Sequence, residues 1–130
     1  MASDIESALY AFLAADAGVT AAVGSNIFPV RAPEGVTPVL VYHKVSDPSI
    51  HSKDGDMNLA HPRFQITAWA GKYADAKAAI KAVRTALQGY TGPMLQGVAV
   101  PEIIVENEQD LNDPQSLEYG ASLDAIVWHS

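Results

Sequence analysis

The sequence predicts an α+β fold: a mainly antiparallel β-sheet with two α-helices packed on one face. Three observations predict it. "IESALYAFL" near the start and "YADAKAAIKAVRTAL" in the middle place apolar residues at helical spacing. "VLVYHKV", "RFQITAWA" and "EYGASLDAIVW" alternate with the period of two of a half-buried strand. The order along the chain, helix then strands then helix then strands, belongs to the α+β class.

The first helix begins at Ser3-Asp4-Ile5-Glu6, which fits a capping box with Ser3 as N-cap and Glu6 reaching back. Ile5, Ala8, Leu9, Phe12 and Leu13 form its apolar stripe, and Gly18 is a plausible stop. A short turn from Thr20 to Val23 ends at Gly24. "NIFPVRAPEGVTP" has two prolines before Pro38, so an extended, irregular connection is expected, with a short strand near Ile27 to Val30.

In the strand Val39 to Val45, Val39, Val41, His43 and Val45 point one way and Leu40, Tyr42 and Lys44 the other. A long polar loop follows from Ser46 to Ala60, with Ile50, Met57 and Leu59 as its apolar groups. In the next strand, Arg63 to Trp69, the face carrying Phe64, Ile66 and Ala68 is predicted to meet Ile80, Val83 and Leu87 of the second helix. Trp69 then belongs to the opposite face or an edge. Ala76, Ile80, Val83 and Leu87 give that helix its buried stripe, and Lys77, Lys81 and Arg84 form a flanking stripe in water. Gly71 is read as the residue that allows the sharp turn from strand to helix. Pro101 interrupts "VAVPEIIVENE" and suggests an edge or a bulge. A second polar loop is expected from Asn107 to Leu117. In the last strand Tyr119, Ala121, Leu123, Ala125 and Val127 share a face. No repeat or linker interrupts the 130 residues, so residues 1–130 are expected to form a single domain.

Composition excludes several classes of function. With no cysteine there is neither a disulfide framework nor a thiolate nucleophile or zinc ligand. No apolar run approaches the ~20 residues of a membrane span, and the acidic start "MASDIES" is unlike a signal peptide. The expectation is a soluble protein made in the cytoplasm, with no membrane partner. The net charge is -7, and all eight basic residues lie at or before Arg84. Beyond it stand Glu102, Glu106, Glu108, Asp110, Asp113, Glu118 and Asp124 without a base among them. That distribution argues against a general nucleic-acid grip, which needs a dense basic patch.

The motifs that suggest chemistry each fail at a defined position. Ala70-Gly71-Lys72 lacks the glycine spacing of a phosphate-binding loop and the hydroxyl residue after its lysine. "DGDMN" starts like a calcium loop, but Leu59 and Gln65 stand where glycine and glutamate are required. His43, His51, His61 and His129 show no metal-binding spacing. If the strand reaches them, Glu106 and Glu108 share a face, where a carboxylate pair is conceivable, but a polar strand end explains them with fewer assumptions. No cofactor, metal or catalytic residue is expected.

The order and wording of the segments resemble the tail-completion or tail-terminator family of long-tailed phages, prophages and gene-transfer particles. The resemblance runs from about Ile5 to Trp128. It is carried by the "IFPVRAP" connection, the "QITAWAGKYADAKA" corner, and "ENEQDL" before a loop and a final tryptophan. It implies structural work: a homo-oligomeric ring, commonly hexameric, at the head-proximal end of the tail. The ring stops polymerisation of the tail tube protein and meets a head-tail connector protein, while DNA passes through without specific binding. It implies assembly in the host cytoplasm and a place in the particle's tail. A neighbouring neck protein is the closest alternative, and a small α+β enzyme or ligand-binding domain is the other. Within a ring, Lys77, Lys81, Arg84, Ile50, Met57 and Leu59 are the expected subunit interface. Glu106, Glu108, Asp110, Asp113 and Glu118 are the expected channel or partner surface.

Overall fold

The computed structural model describes residues 5–33, 35, 37–46, 61–88, 90–93, 99–100, 102–113 and 118–129. Its elements are α1 (Ile5–Ala15), α2 (Ala17–Val23), β1 (Ile27–Pro29), β2 (Val39–Ser46), β3 (Arg63–Ala70), α3 (Tyr73–Leu87), β4 (Gly92–Pro93), β5 (Ala99–Val100), β6 (Glu102–Asp113) and β7 (Glu118–Trp128). Five strands form one sheet in the order β1-β2-β3-β7-β6, and β4 pairs with β5 separately. β1 runs parallel to β2, and every other pair in the large sheet is antiparallel. The predicted α+β class is what the chain adopts.

Among the described residues there are three helices rather than two. Asp16 caps α2, its carboxylate accepting from the Val19 amide at 3.0 Å, so seven residues become helical where only a turn was expected. Of the predicted capping box, Ser3 lies outside the described residues, and the Glu6 carboxylate pairs with Lys44 Nζ at 3.0 Å.

The core lies between one sheet face and the helices, and the register fixes which residues reach it. Phe64 pairs with Ala125, Ile66 with Leu123 and Ala68 with Ala121. These residues are buried in one cluster with Leu40, Tyr42, Leu9, Leu13, Ile80, Val83 and Leu87. The predicted face of β3 therefore does meet α3. Trp69 stands on the opposite face, where it pairs with Val39 and Gly120.

Two expectations fail here, for related reasons. Asn107 to Asp113 continue β6 instead of forming a loop, so β6 is a twelve-residue edge strand. An edge strand near solvent on both faces loses its apolar alternation and reads as a loop. Within it the register slips between Glu106, opposite Asp124, and Gln109, opposite Ser122. Asn107, at φ 55°, sits in that slip. One extra residue in the strand re-aims every side chain beyond it. Gly71, in turn, is not required by its corner. Its φ is not positive, and a Cβ there would meet nothing within 4 Å.

Candidate functional site

The charged stripes that the sequence keeps apart meet within one chain. On α3, Lys77 and Arg84 lie two turns apart on one side of the helix. That side faces the outer half of β6. Lys77 Nζ lies 3.4 Å from Glu108 and 3.1 Å from Asp110, and the Arg84 guanidinium pairs with the other oxygen of Glu108. The Tyr73 hydroxyl donates to Asp110 at 2.8 Å, and Lys77 lies 5.9 Å from the centre of the Tyr73 ring. Arg84 also donates through Nε to Gln88 at 3.0 Å.

Four of these groups have their ionisation shifted by the network. The Arg84 hydrogen bond holds the Glu108 carboxyl below the usual range, with Lys77 adding to it and partial burial opposing it. Asp110 is lowered by the Tyr73 hydroxyl and then by Lys77. Asp110 in return raises the Tyr73 phenol and the Lys77 ammonium.

Glu106 belongs to a different constellation. It lies before the bulge, opposite Asp124 on the face away from the helices, where Arg63 reaches Glu106 at 2.7 Å and Asp124 at 2.9 Å. Asn107 donates to Asp124 at 3.3 Å. These bonds, Glu106 first, raise the Arg63 pKa. The expected Glu106–Glu108 pair on one strand face is therefore corrected. The inserted residue sends the two carboxylates to opposite faces, each already held by cations.

Among the other expected site residues, Lys81 is exposed and has no ion pair among the described residues. Glu118 begins β7 and pairs in register with Asp113 at the end of β6. Ile50, Met57 and Leu59 lie outside the described residues. Sequence reasoning missed Arg63 and Asp124, which sit far apart in sequence and meet only through strand pairing. It also missed Tyr73 and Tyr119, both exposed and 6.2 Å apart edge to face. With Asp110 and Leu111 they line an open cleft of about 460 Å³. Among the described residues no three His, Asp or Glu side chains gather as a metal site requires. Nor is any helix there long and apolar enough to cross a membrane.

Comparisons with known proteins find a family and a similar fold. Residues 7–130 match the family described as Tail completion protein gp17. The fold is similar to a chain in the structure titled "Virion of native gene transfer agent (GTA) particle", with a TM-score of 0.72 and 21% sequence identity. That alignment covers 97% of this chain and 95% of the other. No curated protein matches the sequence.

Proposed function

The chain belongs to the Tail completion protein gp17 family, and its role is a structural one in completing a phage tail; from that premise we propose that it acts as a tail terminator, as a single domain in a closed ring. Six copies, the number its resemblance implies, sit on the head-proximal end of the tail tube. They block further addition of tube protein and offer the head connector a surface. The family match over almost the whole chain is the observation that carries this reading. The geometry supports it, because the conspicuous charges are spent on intramolecular pairs that stiffen a surface. They do not converge on a reactive centre, so no enzymatic step and no cofactor is assigned.

The roles proposed for individual residues follow the pairing. Lys77 and Arg84 hold β6 to α3, which leaves Lys81 as the member of the stripe free to meet a neighbour. Glu106, Glu108 and Asp110 shape the acidic edge more than they charge it. Glu118 and Asp113, where β6 and β7 join, are the acids offered to the channel, where like charge keeps passing DNA from adhering. Ile50, Met57 and Leu59 remain proposed apolar contacts to a neighbouring subunit or the tube.

The test is to produce particles in cells lacking this chain and measure tail length and head attachment by electron microscopy. Overlong tails without heads are expected. Tails of normal length that lack heads would instead assign the chain to a neck ring. Normal tails joined to heads would overturn both.

A further inference from the structure

The "IFPVRAP" connection, so distinctive in the sequence, has no part in either charge network. Its conformation is costly. Val30 has φ 69°, a region in which a β-branched residue is a genuine outlier. The Arg31 amide donates to the Pro29 carbonyl at 2.7 Å, closing a γ-turn around Val30, and the Val30 amide donates to Tyr42 at 2.8 Å. The strain is thus pinned to the end of β1. It repays nothing inside the subunit, because Val30 is 72% exposed. The Arg31 side chain is exposed too, with no ion pair among the described residues. A strained, exposed apolar residue followed by an exposed guanidinium with no ion pair among the described residues suits a contact outside the chain.

β1 is one edge of the sheet and β6 is the other. The β6 side carries the cleft of Tyr73, Asp110, Leu111 and Tyr119. Both tyrosines are 46% exposed. Asp110 uses one oxygen for Lys77 and the other for Tyr73, and a carboxylate has about four acceptor positions. Phenol faces beside a carboxylate suit a guanidinium, which stacks and donates in one plane. Leu111 also lines the cleft.

We propose that the Val30–Arg31 knuckle of one subunit seats in the Tyr73–Asp110–Leu111–Tyr119 cleft of a second copy of this chain. Arg31 lies against the tyrosines and Asp110, and Val30 beside it at the margin of β6. Arg31 is positive, and the β6 edge stays net acidic, because Glu106, Glu108, Asp110, Glu118 and Asp124 outnumber Arg63, Lys77 and Arg84; the two patches lie at opposite edges. Each copy therefore gives one contact and receives another, the heterologous arrangement that closes into a ring. This rests on the ring reading above and names the surfaces that meet in it.

The chain has no cysteine, so a pair of substitutions, Val30→Cys with Tyr119→Cys, crosslinks without background. Particles carrying the double variant are treated with a short bis-maleimide and separated under denaturing conditions. A ladder of covalent multimers is expected, absent from either single variant and ending at dimers when the two singles are mixed. Rings seen on tail ends without a ladder would overturn this pairing and leave the ring reading intact. A crosslink from position 30 to a different particle protein would overturn it by naming another occupant. Particles in which the chain forms no ring would overturn both readings. Where the double variant is not incorporated, Arg31→Glu supplies the readout: incorporation falls by roughly tenfold or more, as for loss of a buried interface charge. Incorporation equal to that of the native chain would overturn the proposal.

Discussion

The ring of Trp69 lies on Gly120. A Cβ built at Gly120 would come within 2.8 Å of the indole, so the cross-strand partner of this tryptophan must lack a side chain. An aromatic side chain laid over a strand glycine covers backbone that would otherwise be poorly packed. Gly120→Ala is expected to cost about 1–3 kcal/mol by overpacking. Most of that loss should disappear when Trp69→Val is made in the same chain, a coupling that urea denaturation of the two singles and the double measures.

The opposite face of the same strand carries the core. Phe64 is fully buried against residues of α1, α3 and β7. Phe64→Ala should lose about 3–5 kcal/mol, read from the same denaturation curves. A loss under about 0.5 kcal/mol, the scale of a surface change, would contradict the register.

The network between α3 and β6 predicts how stability follows pH. Glu108 and Asp110 are lowered in the folded chain, so their contribution is present above their unfolded values of 4.5 and 3.8. It is lost as pH falls through the lower folded values. Lys77 and Tyr73 are raised, so theirs is present below 10.5 and 10.0 and lost as pH rises through the higher folded values. Thermal melts should therefore decline at both extremes. Glu108→Gln should flatten the acid limb and cost no more than about 1 kcal/mol at neutral pH, because the pairs are partly solvated. An unchanged acid limb would count against the network.

Val30→Gly separates the needs of the subunit from those of the assembly. Glycine adopts φ 69° without strain, and little apolar surface is lost at so exposed a site. The isolated subunit should gain about 1 kcal/mol, while incorporation into particles falls. A variant that is both more stable and normally incorporated would show that the strained turn has no role in assembly.

At the strand-to-helix corner, Gly71→Ala should be neutral or stabilise by about 0.4–1 kcal/mol by restricting the unfolded chain. A loss beyond about 1 kcal/mol, measured by thermal melting, would restore the reading in which the corner demands glycine.

What was legible in the sequence was what periodicity carries. Phe64, Ile66 and Ala68 fall on one face, and Ile80, Val83 and Leu87 meet them, because both patterns repeat often enough to fix a direction. What was not legible depends on one residue or on distant pairing. Nothing in "QDLND" announces a strand, and the tolerance of asparagine for positive φ at Asn107 is the sole hint of the bulge. Arg63 and Asp124 are 61 residues apart, and Arg84 and Glu108 are 24 apart. Only a known register brings such pairs together. The basic stripe therefore looked free in the sequence, although two of its three members are engaged at home.

The long edge strand has a final consequence, for how free subunits behave in numbers. A flat strand of twelve residues at a sheet margin invites another chain to zip onto it. Here the kink at Asn107 and the carboxylates on either side of it make such zipping unfavourable, and the margin at β1 is three residues long. Neither border can serve as a template for endless sheet growth. Along these two described borders, copies of this chain are left to join through side chains, at sites that are used up once each neighbour is in place. On the proposed reading, a subunit that ends the growth of the tail tube is thereby kept from forming a polymer itself.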